Sequence, residues 1–170
     1  QKLEALNGVH MRQMGDAELL KTTIETLPYL EDGKTLLDAM NDTRKNQLLQ
    51  ALPGLKERAK TLVELIDSAE FLFSERPLDL DDKAAQLLDE NARRLLAEIL
   101  PILQNVGDWT LANIEAAVRA FAEQTERKLG KVAQPLRAAL VGRTTSPGIF
   151  DVLSVLGREE SLARIRDQAF

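Results

Sequence analysis

Residues 81–101 read DDKAAQLLDENARRLLAEILP, and the fold class turns on them. Leu88, Ala92, Leu95, Leu96 and Ile99 fall at i, i+4, i+7, i+8 and i+11, the period that puts them on one face of an α-helix and no face of a strand. Two aspartates lead the run, where carboxylates complement the positive end of a helix dipole, and a proline closes it. The expectation is one long helix from Asp81 to about Leu100, ended or kinked at Pro101.

The same period continues outward in both directions. Asp16 opens a helix through about Leu27, stopped by Pro28. Leu36, Leu37, Met40, Leu48 and Leu52 follow at near-helical spacing, with Asn41-Asp42-Thr43 as a possible break between two pieces, and Pro53-Gly54 reads as a turn. Thr61 and Glu64 form a T-x-x-E capping box ahead of an apolar face of Leu62, Leu65, Ile66, Ala69 and Phe73. After SERPLDLDD (74–82), a proline-bearing charged stretch that marks a subdomain boundary near Asp79, come helices at 81–100, 111–124, 131–141, a short one opened by Ser146-Pro147 and closed by Gly157, and 158–169. No segment alternates with the period of two that a half-buried strand requires, so the chain is expected to be all-α, in two small helical subdomains.

Composition narrows the function classes. The chain has 170 residues, 44% of them hydrophobic and 29% charged, with no cysteine and a net charge of −5. That is the profile of a soluble globular protein; without cysteine there is neither a disulfide framework nor a thiolate metal site, which points to a reducing, cytoplasmic setting. No apolar run is long enough for a bilayer, and QKLEALNGVHMRQMG at the start lacks the pattern of a signal peptide and reads as a cut end. Catalytic constellations are missing. His10 is the sole histidine, with no acid or cysteine partner at ligand spacing, and neither GxxxxGK[ST] nor GxGxxG occurs. The carboxylate pairs Asp81-Asp82, Asp89-Glu90 and Glu159-Glu160 sit where solvation and helix dipoles account for them.

Charge is unevenly distributed. Nine acids and only two bases lie from Glu64 to Glu90, whereas Arg127 to Phe150 holds five bases and no acid. A phosphate backbone senses charge within a Debye length of roughly 8 Å, so a basic stretch attracts a polyanion despite a negative total. Arg137 and the helix start near Ser146 can converge on an anion, Pro147, Ile149 and Phe150 offer apolar surface to an unstacked base, and Arg127, Lys128, Lys131 and Arg143 supply phosphate contacts. A helical protein-interaction module that binds no RNA is the competing reading.

Residues 128–165, KLGKVAQPLRAALVGRTTSPGIFDVLSVLGREESLARI, resemble the C-terminal signature of bacterial glutamyl-tRNA synthetases through LGK, QPLR, SPGIF and the final R-I. WTLANIEAAVRAFAE (109–123), ERAKTLVELIDSAEFLF (57–73) and KLEALNGVHMR (2–12) resemble upstream stretches of the same family, so the resemblance covers essentially the whole chain. Ala5 and His10 stand where that family commonly has Trp and Tyr. The resemblance implies an α-helix cage: residues 1–24 as the tail of a stem-contact region, 25–79 and 80–170 as two helical anticodon-binding subdomains. It assigns anticodon contact to Arg137, Ser146, Pro147, Ile149 and Phe150, and reading of the last anticodon base to Arg58, with Lys60 as rival. The H-x-G-H and K-[ML]-S-K motifs are absent from these residues, so no catalytic residue and no cofactor is expected here. ATP and Mg belong to the catalytic core of such a ligase, of which this chain would be an excised C-terminal part. The partner implied is tRNA(Glu), with tRNA(Gln) as a second acceptor left open; a monomer, no membrane and a cytoplasmic location are expected, and a third reading is that the part alone folds but binds tRNA too weakly to measure, because its parent also grips the acceptor stem.

Overall fold

The computed structural model describes residues 8–170, and Ala5 therefore lies outside the described residues. Among these, every regular element is helical. The order is α1 (Gly8–Gln13), α2 (Asp16–Thr26), α3 (Gly33–Asp38), α4 (Asp42–Arg58), α5 (Leu62–Ala69), α6 (Asp82–Leu87), α7 (Glu90–Gln104), α8 (Leu111–Gln124), α9 (Leu129–Val141), α10 (Ile149–Leu156) and α11 (Arg158–Ala169). The all-α expectation holds. Two compact units divide between Phe73 and Ser74.

In the first unit, the capping chemistry explains where the helices begin. Asn41 accepts the Arg44 N–H at 2.8 Å, so the apolar run over residues 36–52 does split into α3 and α4. Thr61 accepts the Glu64 N–H, and the Glu64 carboxylate reaches back to the Lys60 N–H at 2.8 Å. Pro53 does not make the expected turn: α4 continues through it to Arg58. Pro53 is exposed, so the missing donor is on the wet side, while Leu48, Leu52 and Leu55 are 0–2% exposed on the other.

The stretch at 81–101 departs from the single helix its spacing suggests. Asp81 caps α6 through the Ala84 N–H at 2.7 Å, and Asp89 caps α7 through the Ala92 N–H at 2.8 Å. Between them Leu88 leaves helical geometry at ψ 53° yet stays buried at 3%. The broken turn is repaired by Arg93, whose Nε donates to the Leu88 carbonyl at 3.0 Å. An aspartate that can satisfy a backbone donor outside a helix competes with helix continuation, and here it wins. Pro101 does not end α7, which runs on to Gln104. A proline inside a helix costs about 3 kcal/mol. Beyond it Leu103 and Val106 are buried, worth about 1.5–3 kcal/mol each, which offsets the cost.

The second unit is built around α9, which contacts α6, α7, α8, α10 and α11. Ala138 and Ala139 are fully buried on it and allow close approach of the neighbouring helices. The segment before α6 is tied to the end of α9: Gly142, at φ 73°, donates to the Ala138 carbonyl and accepts the Asp81 N–H at 3.0 Å. No helix among the described residues is long and apolar enough to cross a membrane.

Candidate nucleic-acid interface

The interface grows out of the end of α9. Helix α9 carries Arg137 between buried Leu136 and Ala138, so the arginine leaves the core on the narrow half-buried edge of the helix. Gly142 then turns the chain in the left-handed conformation that glycine adopts without steric cost. The loop that follows returns to α10, and at its centre the Arg137 Nε donates to the Ser146 hydroxyl at 2.9 Å. The Ser146 hydroxyl in turn donates to the Pro147 carbonyl at 2.7 Å. The relay fixes which edge of the guanidinium faces the loop.

Ser146 was expected to cap the next helix, with Pro147 at its first position. Instead Gly148 is the N-cap residue, with no side-chain bond, and α10 starts at Ile149. The serine hydroxyl is drawn to the arginine because a guanidinium N–H is the stronger donor.

The three apolar residues expected to form a seat separate by burial. Pro147 is buried and Ile149 is 5% exposed, whereas Phe150 is half-buried. Only the phenylalanine offers a face, and the Arg119 guanidinium of α8 lies over it at 5.8 Å from the ring centroid. Arg119 is itself held by Glu115 at 2.8 Å. The spacing of the sequence marks Glu115 and Arg119 only as an ordinary i, i+4 surface pair, and nothing in it tells that this face of α8 meets α10.

Of the four residues expected to contact phosphate, Lys128 and Lys131 are exposed at the start of α9. Arg143 is half-buried directly after Gly142. Arg127 is half-buried at the surface: it bonds the Glu98 carboxylate at 2.7 Å and lies 5.7 Å from the Phe121 ring centroid. A carboxylate at this distance offsets part of its charge. Arg58 and Lys60, in the last turn of α4 and just past it, are exposed and belong to the first unit, while the other candidates belong to the second.

Helix α10 is anchored from behind. The Trp109 Nε1 and the Ser161 hydroxyl both donate to the Leu153 carbonyl, at 2.9 and 3.2 Å. Arg158 stacks over the Trp109 ring at 5.2 Å and donates to the carbonyls of Gln104, Val106 and Gly107. The corner at the C-terminal end of α9 therefore offers a fork fixed by a hydroxyl and, on the following helix, an aromatic ring under a cation, while the two exposed lysines stand at the opposite end of α9. Such a set suits a planar, anionic, single-stranded ligand. Among the described residues there is no cluster of three or more His, Cys, Asp or Glu side chains that could hold a metal ion.

A model of the anticodon binding domain matches residues 17–169. Glutamate–tRNA ligase 2 of Chelativorans sp. is 67% identical over 169 residues, and glutamate–tRNA ligase of Afipia carboxidovorans 61% over 168; the chain is covered to 99% in each case. It spans 36% of the length of these curated relatives. A crystal structure of a glutamate tRNA ligase from Elizabethkingia meningosepticum superposes with a TM-score of 0.75 over 96% of this chain and 30% of that one. At 23% identity this supports the fold, an all-α arrangement shared with that enzyme. Because the family match extends from α2 to the end of α11, through both units and the corner at Arg137, the chain belongs to the anticodon-binding domain family.

Proposed function

We propose that this chain is the anticodon-reading part of a glutamate–tRNA ligase, and that the corner around Arg137 and Ser146 receives an unstacked anticodon base. The observation that carries the reading is the 2.9 Å bond from Arg137 to Ser146, four residues ahead of the half-buried Phe150. A fork oriented in advance loses little entropy on meeting a base edge or a phosphate, and single-stranded loops are where RNA offers such edges. Phe150 with Arg119 supplies the stacking face. Buried Pro147 and Ile149 support it from below, so their side chains hold the loop while their backbone lines it. Lys128 and Lys131 add sequence-independent phosphate attraction, with Arg143 at the loop entrance, and Arg127 contributes through the placement of the α8–α9 turn. In the first unit Arg58, or Lys60, reads the last anticodon base.

The parent protein, on this reading, attaches glutamate to tRNA(Glu) with ATP and Mg in its catalytic part and works in the cytoplasm as a monomer, away from membranes; tRNA(Gln) is a second acceptor to be tried. The deciding experiment is titration of the chain with tRNA(Glu) transcripts that differ only in the anticodon, at two salt concentrations. Arg137→Ala is expected to cost about 1–3 kcal/mol of binding and to blur discrimination at one base. A folded variant that binds all transcripts as before would overturn the assignment.

A further inference from the structure

We infer that Arg164 is a positioning residue for the Arg137 corner, acting through the backbone of α9; this rests on the RNA-reading role proposed above. Arg164 is 2% exposed, a guanidinium in the interior of the second unit. Such a charge is tolerated only when paired and hydrogen-bonded, and a hydrophobic side chain of like volume is commonly as stabilising or more so. What the arginine supplies that an apolar residue does not is directional bonds. Its Nε bonds the Glu160 carboxylate at 2.7 Å, one terminal nitrogen donates to the Leu140 carbonyl at 2.7 Å, and the other to the Ser74 carbonyl at 3.1 Å.

The Leu140 carbonyl belongs to the last turn of α9, where the helix leaves its acceptors without internal partners and where a cation complements the dipole. Leu140 follows Arg137 by three residues, about 4.5 Å along the axis. One turn earlier on α11, Ser161 donates to the Leu153 carbonyl of α10. Successive turns of α11 thus grip both helices that flank the 143–148 loop. The end of α9 is held on a second side by the Asp81 N–H bonded to Gly142, so the turn carrying Arg137 cannot slide without breaking the buried guanidinium–carbonyl bond to Leu140. A misplacement on the order of 1 Å is enough to spoil a forked contact to a base.

The test uses the 170-residue chain and tRNA(Glu) transcripts with the native or an altered middle anticodon base. Arg164→Lys keeps the charge and loses the fork, so it cannot reach three acceptors at once. It is expected to lower affinity for the native transcript about tenfold and to flatten the preference between transcripts, while adding nothing further in an Arg137→Ala background, since residues that act through one another are not additive. Circular dichroism and thermal melting report whether the variant folds. If it does not, Glu160→Gln carries the same test: it leaves the arginine in place with its charge partner removed, and should shift preference in the same direction by a smaller factor. Equal losses with and without Arg137, or a preference left intact in a folded variant, would overturn the positioning role alone. Detectable binding that is blind to Arg137→Ala, or no binding even when the chain is rejoined to a catalytic part, would remove the RNA reading and this inference with it.

Discussion

The Arg119 guanidinium stands 5.8 Å from the centroid of the Phe150 ring, with its Nε bonded to Glu115 at 2.8 Å. The cation is therefore held at one end by a carboxylate and at the other by an aromatic ring, and Phe150 itself is half-buried. An incoming base that stacks on this ring gains roughly 1–3 kcal/mol. Phe150→Ala should weaken binding of a tRNA(Glu) transcript by about that amount, Phe150→Tyr should retain most of it, and fluorescence anisotropy with a labelled transcript reads both.

Lys128 and Lys131 differ in kind from Arg137, because they are exposed point charges without a fixed geometry. Lys128→Ala and Lys131→Ala should each weaken binding uniformly across anticodon variants. Each should also lower the slope of log affinity against log salt by roughly 0.7, the value for one phosphate contact on a single strand. Arg127→Ala should change this slope less, since its charge faces Glu98.

Two glycines with positive φ separate backbone conformation from steric room. Gly142 has φ 73° and a Cβ added there would lie 2.4 Å from the Asp79 carbonyl oxygen; Gly157 has φ 80° and open space around it. Gly157→Ala meets only the conformational cost, about 1–3 kcal/mol. Gly142→Ala adds a clash with backbone that cannot yield, so its loss of unfolding free energy in urea should be clearly the larger, and RNA binding should fall with it.

Asp89 is the cap that splits residues 81–101 into two helices. Asp89→Ala should cost about 1 kcal/mol in thermal or urea unfolding. Asp89→Ser should recover most of this, because a hydroxyl can accept the same Ala92 N–H.

The sequence made some of this legible and hid the rest for identifiable reasons. Period and capping residues are local, so the span of α8, the Thr61 cap and the glycine ends at Gly142 and Gly157 could all be read directly. The break at Leu88 could not: Leu88 stays buried across it, so the apolar period is preserved while the hydrogen bonding is not. Pro53 and Pro101 mislead because a proline ends a helix only when tertiary burial beyond it is too small to offset the lost bond. At the corner, Arg137 and Ser146 stand out by charge and motif, but whether a side chain faces in or out depends on packing. That is why Ile149 and Pro147 turned out buried, why Arg119, on a helix whose spacing looks like ordinary surface, escaped notice, and why Arg164, visible only as part of the final R-I motif, carried no sign of its burial.

Trp109 is the only tryptophan in the chain, and its ring nitrogen is bound to the Leu153 carbonyl on the helix that begins beside Phe150. The molecule consequently carries an intrinsic optical probe wired to the second unit and absent from the first. Changes in indole emission follow the seating of α10 under titration or denaturant without any attached dye, and the proteins compared above as variants can be monitored by the same native chromophore.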